Sequence, residues 1–205
     1  MERIRNKSFV QIGSSIGFDN FKSLCDQYKP SEIILVEPIE SSHVSLRSCY
    51  DGYNYTIEKL AIVDSDIKSV DLYSPGGSQN SAHWSVIGHL DWDKRSQKID
   101  GKEYSVDAIR IGELFDKHSL VDIGLLYIDT EGNDARIIND IDFTKYSIDI
   151  IVWEFWGFTQ DYFEEYNILN GLDGMNYIKN KLTDIGYSIS EYNGSRQDFI
   201  AIKNY

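Results

Sequence analysis

The stretch SFVQIGSSIGFDN, residues 8–20, decides the fold that this sequence predicts. It joins an apolar run, typical of a buried strand, to a short turn with glycine at both ends, Gly13 and Gly17. Gly13 can adopt backbone angles that a side chain would forbid, so the chain can turn sharply there. Gly17 leaves room for the following helix to pack closely or for a ligand to touch the backbone.

A helix is predicted after the turn, because apolar residues recur there at steps of three and four residues. The residues of this face are Phe18, Phe21, Leu24, Cys25 and Tyr28. In an open α/β sheet, a nucleotide-like ligand lies at the mouth of such a strand, turn and helix. The Gly-x-x-x-Gly spacing differs from the Gly-x-Gly-x-x-Gly fingerprint, and no Gly-Lys-Ser/Thr follows, which argues against a P-loop. The alternative is a turn that needs glycine only for its shape.

The composition is that of an ordinary globular chain. Its 205 residues are 41% hydrophobic and 26% charged, which fits a single domain with a full core over residues 1–205. The formal net charge of −13 argues against nucleic acid as the main partner. The N-terminal residues 1–7 do not resemble a signal peptide, and no apolar run approaches the length of a membrane span. We therefore predict a cytoplasmic protein with no membrane partner.

A second buried strand is predicted over residues 32–37, and it ends in a carboxylate, Glu37, before Pro38. Glu37 follows Gly17 by 20 residues. In βαβ nucleotide-binding units, an acidic residue at this point accepts hydrogen bonds from the ribose hydroxyls. A carboxylate offers only acceptors, which suits a cis-diol. The alternative is a solvated glutamate at a strand end.

The next segments predict a helix over residues 39–50 and a third strand over residues 53–58, which residues 60–64 continue. Ala61 and Ile62 are small or apolar residues near the end of this strand, and such residues can line a flat pocket for an adenine ring. Packing in the core explains the same residues equally well.

Residues 65–103 are predicted to form a loop insertion, with a short strand near residues 71–73. A loop of this length is unusual in a compact domain and often serves as a lid or binding loop. It contains His83, one of the chain's four histidines. A strand over residues 104–109 and a helix over residues 111–118 follow.

The second informative feature is the segment DTEGND, residues 129–134, which follows a buried strand predicted over residues 122–129. It places three carboxylates at the carboxyl end of a strand, where open α/β sheets carry their chemistry. Asp129 is expected to face the cleft. Asp134 falls in the first turn of a helix, where the helix dipole already explains a carboxylate.

The rest of the chain predicts a strand over residues 149–155, a helix over residues 172–185, and a hairpin of residues 186–191 and 198–203. Glu154 lies near the end of the first of these strands. An acidic group in so apolar a run should either pair or function.

Strands that alternate with helices, followed by a helix and a hairpin, resemble the Rossmann-like fold of class I S-adenosylmethionine-dependent methyltransferases. That α/β resemblance implies a seven-stranded, mostly parallel sheet with helices on both faces and an antiparallel C-terminal hairpin. The chain resembles the FkbM family of these enzymes in five segments. They are VQIGSSIG (residues 10–17), VEP (36–38), AIVD (61–64), IDTEGND (128–134) and VWE (152–154).

The resemblance implies a role for each of several residues toward the cofactor S-adenosylmethionine. Gly13, Ser15 and Gly17 would shape its pocket, Glu37 would bind its ribose diol, and Ala61 and Ile62 would flank its adenine. Asp129 would lie near the methionyl ammonium or the reacting hydroxyl. Gln11 stands where the family usually has an acidic residue, and it can still accept a hydrogen bond from the ammonium.

The resemblance further implies an O-methyltransferase whose acceptor is a small molecule or a sugar or glycan hydroxyl. Asp129, Glu154 and His83 are the candidates for taking the hydroxyl proton, and no spacing rule selects among them. A divalent metal holding the acceptor is a minority hypothesis. Two alternatives remain: a nicotinamide-dependent oxidoreductase, and a non-catalytic binding module on the same fold.

Overall fold

The computed structural model describes residues 2–72, 104–130, 132–154, 172–192 and 198–205. Within these ranges the strands are β1 (Ser8–Ile12), β2 (Glu32–Val36), β3 (Tyr55–Glu58), β4 (Ala61–Val63), β5 (Ser69–Leu72), β6 (Tyr104–Arg110), β7 (Asp122–Ile128), β8 (Ser147–Glu154), β9 (Tyr187–Glu191) and β10 (Asp198–Lys203). The helices are α1 (Asn20–Tyr28), α2 (His43–Cys49), α3 (Ile111–Lys117), α4 (Asp134–Asp140) and α5 (Leu172–Asp184). Two short 3₁₀ turns cover Glu2–Ile4 and Glu40–Ser42.

The main sheet has seven strands in the order β3-β2-β1-β7-β8-β10-β9. The first five are parallel to one another, and β10 is antiparallel to both β8 and β9. This confirms the predicted mostly parallel sheet with its antiparallel C-terminal hairpin. Because β1 lies between β2 and β7, the strand order reverses at β1, and such a switch point is where open α/β sheets bind ligands.

Helices cover both faces of this sheet, as predicted. β1 is accordingly buried on both sides. Successive side chains of a strand point to opposite faces. Phe9 packs in one core cluster with Phe21 of α1 and Leu46 of α2. Val10 packs in the other cluster, with residues of the three remaining helices; these are Leu114 of α3, Ile138 of α4 and Leu182 of α5.

Residues 60–64 do not continue the third strand, and this expectation was wrong. β3 ends at Glu58. β4 is not part of the main sheet; it pairs in parallel with β6, where Ala61 lies opposite Ala108. β5 pairs with the other edge of β6, so that β4, β6 and β5 form a separate three-stranded sheet. β4 is fully buried, which explains why its apolar pattern resembles that of a strand in the main sheet.

The apolar face of α1 was also predicted one turn too long. Phe21, Cys25 and Tyr28 are buried, but Phe18 precedes the helix and is 78% exposed. Asp19 is the N-cap of α1, so the chain at Phe18 is not yet helical. No helix in the described part of the chain is long and apolar enough to cross a membrane.

Candidate active site

The turn between β1 and α1 is held against the tips of its two neighbouring strands. The backbone N–H groups of Gly13 and Ser14 both donate to the Val36 carbonyl of β2, at 3.0 and 3.1 Å. On the other side, the Asp129 N–H donates to the Ile12 carbonyl at 2.9 Å. The carboxyl ends of β1, β2 and β7 therefore meet at this turn, where the switch point of the sheet lies.

Gly13 is required by this close approach. Its φ of +82° lies in the region that favours glycine, and a Cβ placed on it would come within 1.8 Å of the Asp129 carbonyl oxygen. Only a residue without a side chain lets the two strand tips touch. Gly17, the second glycine, serves packing: a Cβ there would lie 3.1–3.3 Å from Leu46, Cys49 and Tyr50.

Glu37 follows the last residue of β2 and is buried, with 6% of its surface exposed. Its two carboxylate oxygens accept hydrogen bonds from the N–H groups of Ser15 and Ile39, each at 2.7 Å. Burial raises the pKa of the Glu37 carboxyl to about 7, although these two amides favour the charged form. Each oxygen keeps a second lone pair, so Glu37 can still accept further hydrogen bonds.

Ala61 and Ile62 are buried in β4, with 5% and 3% of their surfaces exposed. Asn133, in the turn after β7, donates from Nδ2 to the Ile62 carbonyl at 2.9 Å. This contact ties the second sheet to the segment that carries Asp129.

Asp134 is a buried anchor of the turn that follows β7. Its Oδ2 accepts hydrogen bonds from the Thr130 N–H at 3.2 Å and from the Thr130 hydroxyl at 2.5 Å, while its Oδ1 accepts one from the Glu154 N–H at 3.1 Å. Burial raises the pKa of Asp134 to about 6, and these hydrogen bonds oppose the shift. Asp134 thus joins the ends of β7 and β8, which agrees with a structural role for this carboxylate.

A cleft of about 650 Å³ opens at the carboxyl ends of β7 and β8, beside the start of α1. Its lining residues are Phe18, Asp19, Asn20, Lys22, Ser23, Tyr127, Asp129, Glu154 and Asp198. The structure therefore brings two of the three proposed catalytic residues, Asp129 and Glu154, to one cavity. The third, His83, lies outside the described residues.

Sequence reasoning selected only Asp129 and Glu154 among the residues that line the cleft, and those it missed include Phe18, Asp19 and Asp198. Phe18 was assigned to a buried helical face. Asp19 carries a signal that could have found it, because an aspartate just before a helical pattern is typical of an N-cap. Asp198 carries no local signal, since its place depends on the register of β10, which sets it opposite Glu154 of β8.

Gln11, the next-to-last residue of β1, is fully buried. Its Nε2 donates to Asp19 Oδ2 at 2.5 Å. Its Oε1 has no hydrogen-bond partner among the described residues. A buried amide oxygen without a partner is costly, and this one lies in the strand that ends at the switch point. Gln11 therefore keeps an acceptor available beside the glycine turn.

The described residues contain no group of three or more His, Cys, Asp or Glu side chains that could hold a metal ion. The minority hypothesis of a divalent metal thus has no ready set of ligands in the part of the chain that the structure covers.

The sequence of residues 11–189 matches the model of the methyltransferase FkbM domain. The chain belongs to the FkbM methyltransferase family. This confirms the family resemblance and makes the protein an S-adenosylmethionine-dependent methyltransferase rather than a nicotinamide-dependent oxidoreductase. A search of curated protein sequences found no match.

Three solved structures are among those to which the chain is similar. Precorrin-6y C5,15-methyltransferase from Geobacter metallireducens GS-15 is 13% identical with a TM-score of 0.46, over 98% of this FkbM chain and 81% of that one. The plantazolicin methyltransferase BpumL, in complex with SAH, is 9% identical with a TM-score of 0.45. The match covers 97% of this chain and 76% of that one. The small RNA methyltransferase HEN1 is 11% identical with a TM-score of 0.42, over 100% of this chain and 24% of that one.

Two observations on this FkbM protein fit the cofactor of its class. The buried Gln11 Oε1 is an acceptor without a partner among the described residues, as a donor group of a ligand would require. Gly13 lets the tips of β1 and β7 meet so closely that the Asp129 carbonyl fills the place of a side chain, which sets Asp129 beside the turn.

Proposed function

We propose that the protein transfers the methyl group of S-adenosylmethionine to a hydroxyl of a sugar or glycan. The observation that carries this proposal is the meeting of Asp129 and Glu154 in one cleft, next to the exposed ring of Phe18. The cleft lies at the carboxyl ends of β7 and β8, next to the tip of β1, to which the Asp129 N–H is bonded.

The cofactor would be held by residues at the carboxyl ends of β1 and β2 and in β4. Gln11, Gly13, Ser15 and Gly17 would shape its pocket, Glu37 would accept hydrogen bonds from its ribose, and Ala61 and Ile62 would flank its adenine. When bound, the cofactor supplies an activated methyl group on a sulfonium, so the protein's task is mainly to position the acceptor in line.

A carboxylate that takes the hydroxyl proton would assist the reaction. Asp129 is the better placed of the two cleft candidates, because its backbone bonds directly to the tip of β1. Glu154 is held through its N–H by the buried Asp134. Both side chains are half-buried, so each can exchange protons with the solvent after turnover.

The lining of the cleft favours a neutral, hydroxyl-rich acceptor. Four of its residues are acidic, namely Asp19, Asp129, Glu154 and Asp198, and one is basic, Lys22. Such a lining repels phosphates and accepts hydrogen bonds from hydroxyls. The exposed ring of Phe18 offers an apolar surface on which the face of a sugar ring can lie.

A transfer assay with methyl-labelled S-adenosylmethionine tests this proposal. Neutral sugars, sugar phosphates and amines are offered separately, and NMR of the product identifies the methylated atom. We expect label on an oxygen of a neutral sugar and little transfer to its phosphate. Methylation of nitrogen or carbon instead would contradict the proposal.

Asp129→Asn should lower kcat by about 100-fold or more while the fold is retained, since a general base contributes on that order. Asp51→Asn is the control, because Asp51 is an exposed residue after α2. Full activity of Asp129→Asn would remove Asp129 from the mechanism and leave Glu154 as the base.

A further inference from the structure

The first observation concerns the orientation of Gln11. Because its Nε2 is occupied by Asp19, its Oε1 is directed elsewhere, and it has no partner among the described residues. The side chain is fully buried, so water is a poor substitute for that partner. The contact with Asp19 thus fixes the amide, with one N–H of Nε2 donating to the carboxylate and Oε1 left as a buried acceptor.

The second observation concerns Asp19. One carboxylate oxygen accepts from Gln11, and the other accepts from the Lys22 N–H at 3.2 Å, as expected of an N-cap. Desolvation raises the pKa of Asp19, and no ion pair joins it to a basic side chain in the described ranges. The neighbouring lysine, Lys22, pairs instead with Asp26 at 2.7 Å.

Together the two side chains present acceptors and one negative charge beside the glycine turn. Asp19 lines the cleft that holds Asp129, while Gln11 lies directly behind it in β1. A ligand group complementary to this pair carries only donors and a positive charge, which describes an ammonium. An anionic group would meet repulsion from Asp19.

We infer that Asp19, oriented by Gln11, binds the amino group of the methionine part of the methyl donor. The FkbM pattern usually has an acidic residue at position 11, where this chain has the neutral Gln11. In this chain the carboxylate is supplied instead by Asp19, eight positions later. This rests on the proposed function, because it concerns the same cofactor. Asp19 is a binding residue and Gln11 is the residue that positions it.

Calorimetric titration of the full chain tests the inference with two probes. S-Adenosylhomocysteine carries the ammonium, and its deaminated analogue has hydrogen in place of the amino group. Asp19→Asn should weaken binding of the first probe at least tenfold and leave binding of the second unchanged, because a charge-assisted hydrogen bond is lost only from the first. Asparagine is as good an N-cap as aspartate, so α1 should keep its start.

The double variant Gln11→Glu with Asp19→Asn provides the rescue. It returns the carboxylate to position 11 and lets the asparagine amide donate to it, so the hydrogen bond survives with its direction reversed. We expect affinity for S-adenosylhomocysteine to recover to within about threefold of the original protein. Asp51→Asn, remote from the turn in sequence and exposed, should change neither affinity.

The outcomes separate the two proposals. If the unaltered protein binds S-adenosylhomocysteine and Asp19→Asn binds it equally well, the inference is wrong and the proposed function stands. Equal weakening for both probes would also overturn it, since Asp19 would then act on the shape of the turn. If the unaltered protein binds neither probe, the proposed function fails, and the inference fails with it.

Discussion

Replacing Glu37 with glutamine should change how the stability of the protein depends on pH. Burial raises the pKa of the Glu37 carboxyl from 4.5 to about 7 in the folded protein. In the unfolded chain the carboxyl is hydrated and keeps its ordinary pKa. Between pH 4.5 and about 7 the folded state therefore holds a proton that the unfolded state has released, so the free energy of unfolding falls as the pH rises.

The size of this effect follows from the two pKa values. One unit corresponds to about 1.4 kcal/mol, so the shift to about 7 is worth about 3 kcal/mol when it is fully expressed. Between about pH 5.5 and about pH 8.5, Glu37 should lower the free energy of unfolding by about 2 kcal/mol. Glutamine does not titrate, so in Glu37→Gln position 37 does not lower the free energy of unfolding as the pH rises. Asp134, whose pKa burial raises to about 6, titrates in both proteins and cancels in their difference.

Urea unfolding followed by circular dichroism across this pH range measures the difference. The original protein should lose about 2 kcal/mol more than Glu37→Gln from the lowest pH to the highest. Glu40→Gln is the matched control, because Glu40 is exposed and its hydrogen-bonded ion pair with Lys59 lowers its pKa below the range. Parallel loss of stability in the original protein and Glu37→Gln would refute the argument from burial.

Two further substitutions test the turn and the cleft. Gly13→Ala should destabilise the protein by about 3 kcal/mol or more, because its Cβ would lie 1.8 Å from the Asp129 carbonyl oxygen. Gly52→Ala, with a similar φ of +84° but no atom within 4 Å, should cost only about 1 kcal/mol, and equal costs in urea unfolding would contradict the close approach. Phe18→Ala should leave stability within about 0.5 kcal/mol, since the ring is 78% exposed, while it raises KM for the acceptor. An unchanged KM would remove Phe18 from the acceptor site.

The strands of the main sheet could be predicted because most of them are buried on both faces. β1, β2, β7 and β8 appear in the sequence as continuous apolar runs, which is typical of central parallel strands. The second sheet could not be predicted in this way. β4 pairs with β6, which lies about 40 residues later in the chain. The local sequence of a strand does not indicate which distant strand it pairs with.

The helix start was misplaced for a related reason. Phe18 fits the helical period, yet Asp19 caps the helix after it, and only the backbone shows which of the two signals decides. An exposed aromatic residue at the mouth of a cleft is thereby mistaken for a core residue.

The candidate site likewise contains residues that the sequence could identify and residues that it could not. Asp129 and Glu154 could be selected because each lies at the carboxyl end of a buried strand, where such sheets carry ligands. The contact of Gln11 with Asp19 depends on how the turn folds back over eight residues, and the place of Asp198 depends on antiparallel register. Both features depend on the three-dimensional fold and have no local signal in the sequence.

The most direct test of the account is a pair of calorimetric titrations on one preparation of the unaltered protein, with S-adenosylhomocysteine and with NAD. We expect saturable heat from S-adenosylhomocysteine at one site per chain and none from NAD. Binding of NAD, or no heat of binding from either ligand, would contradict the assignment of the β1 turn as a site for a methyl donor.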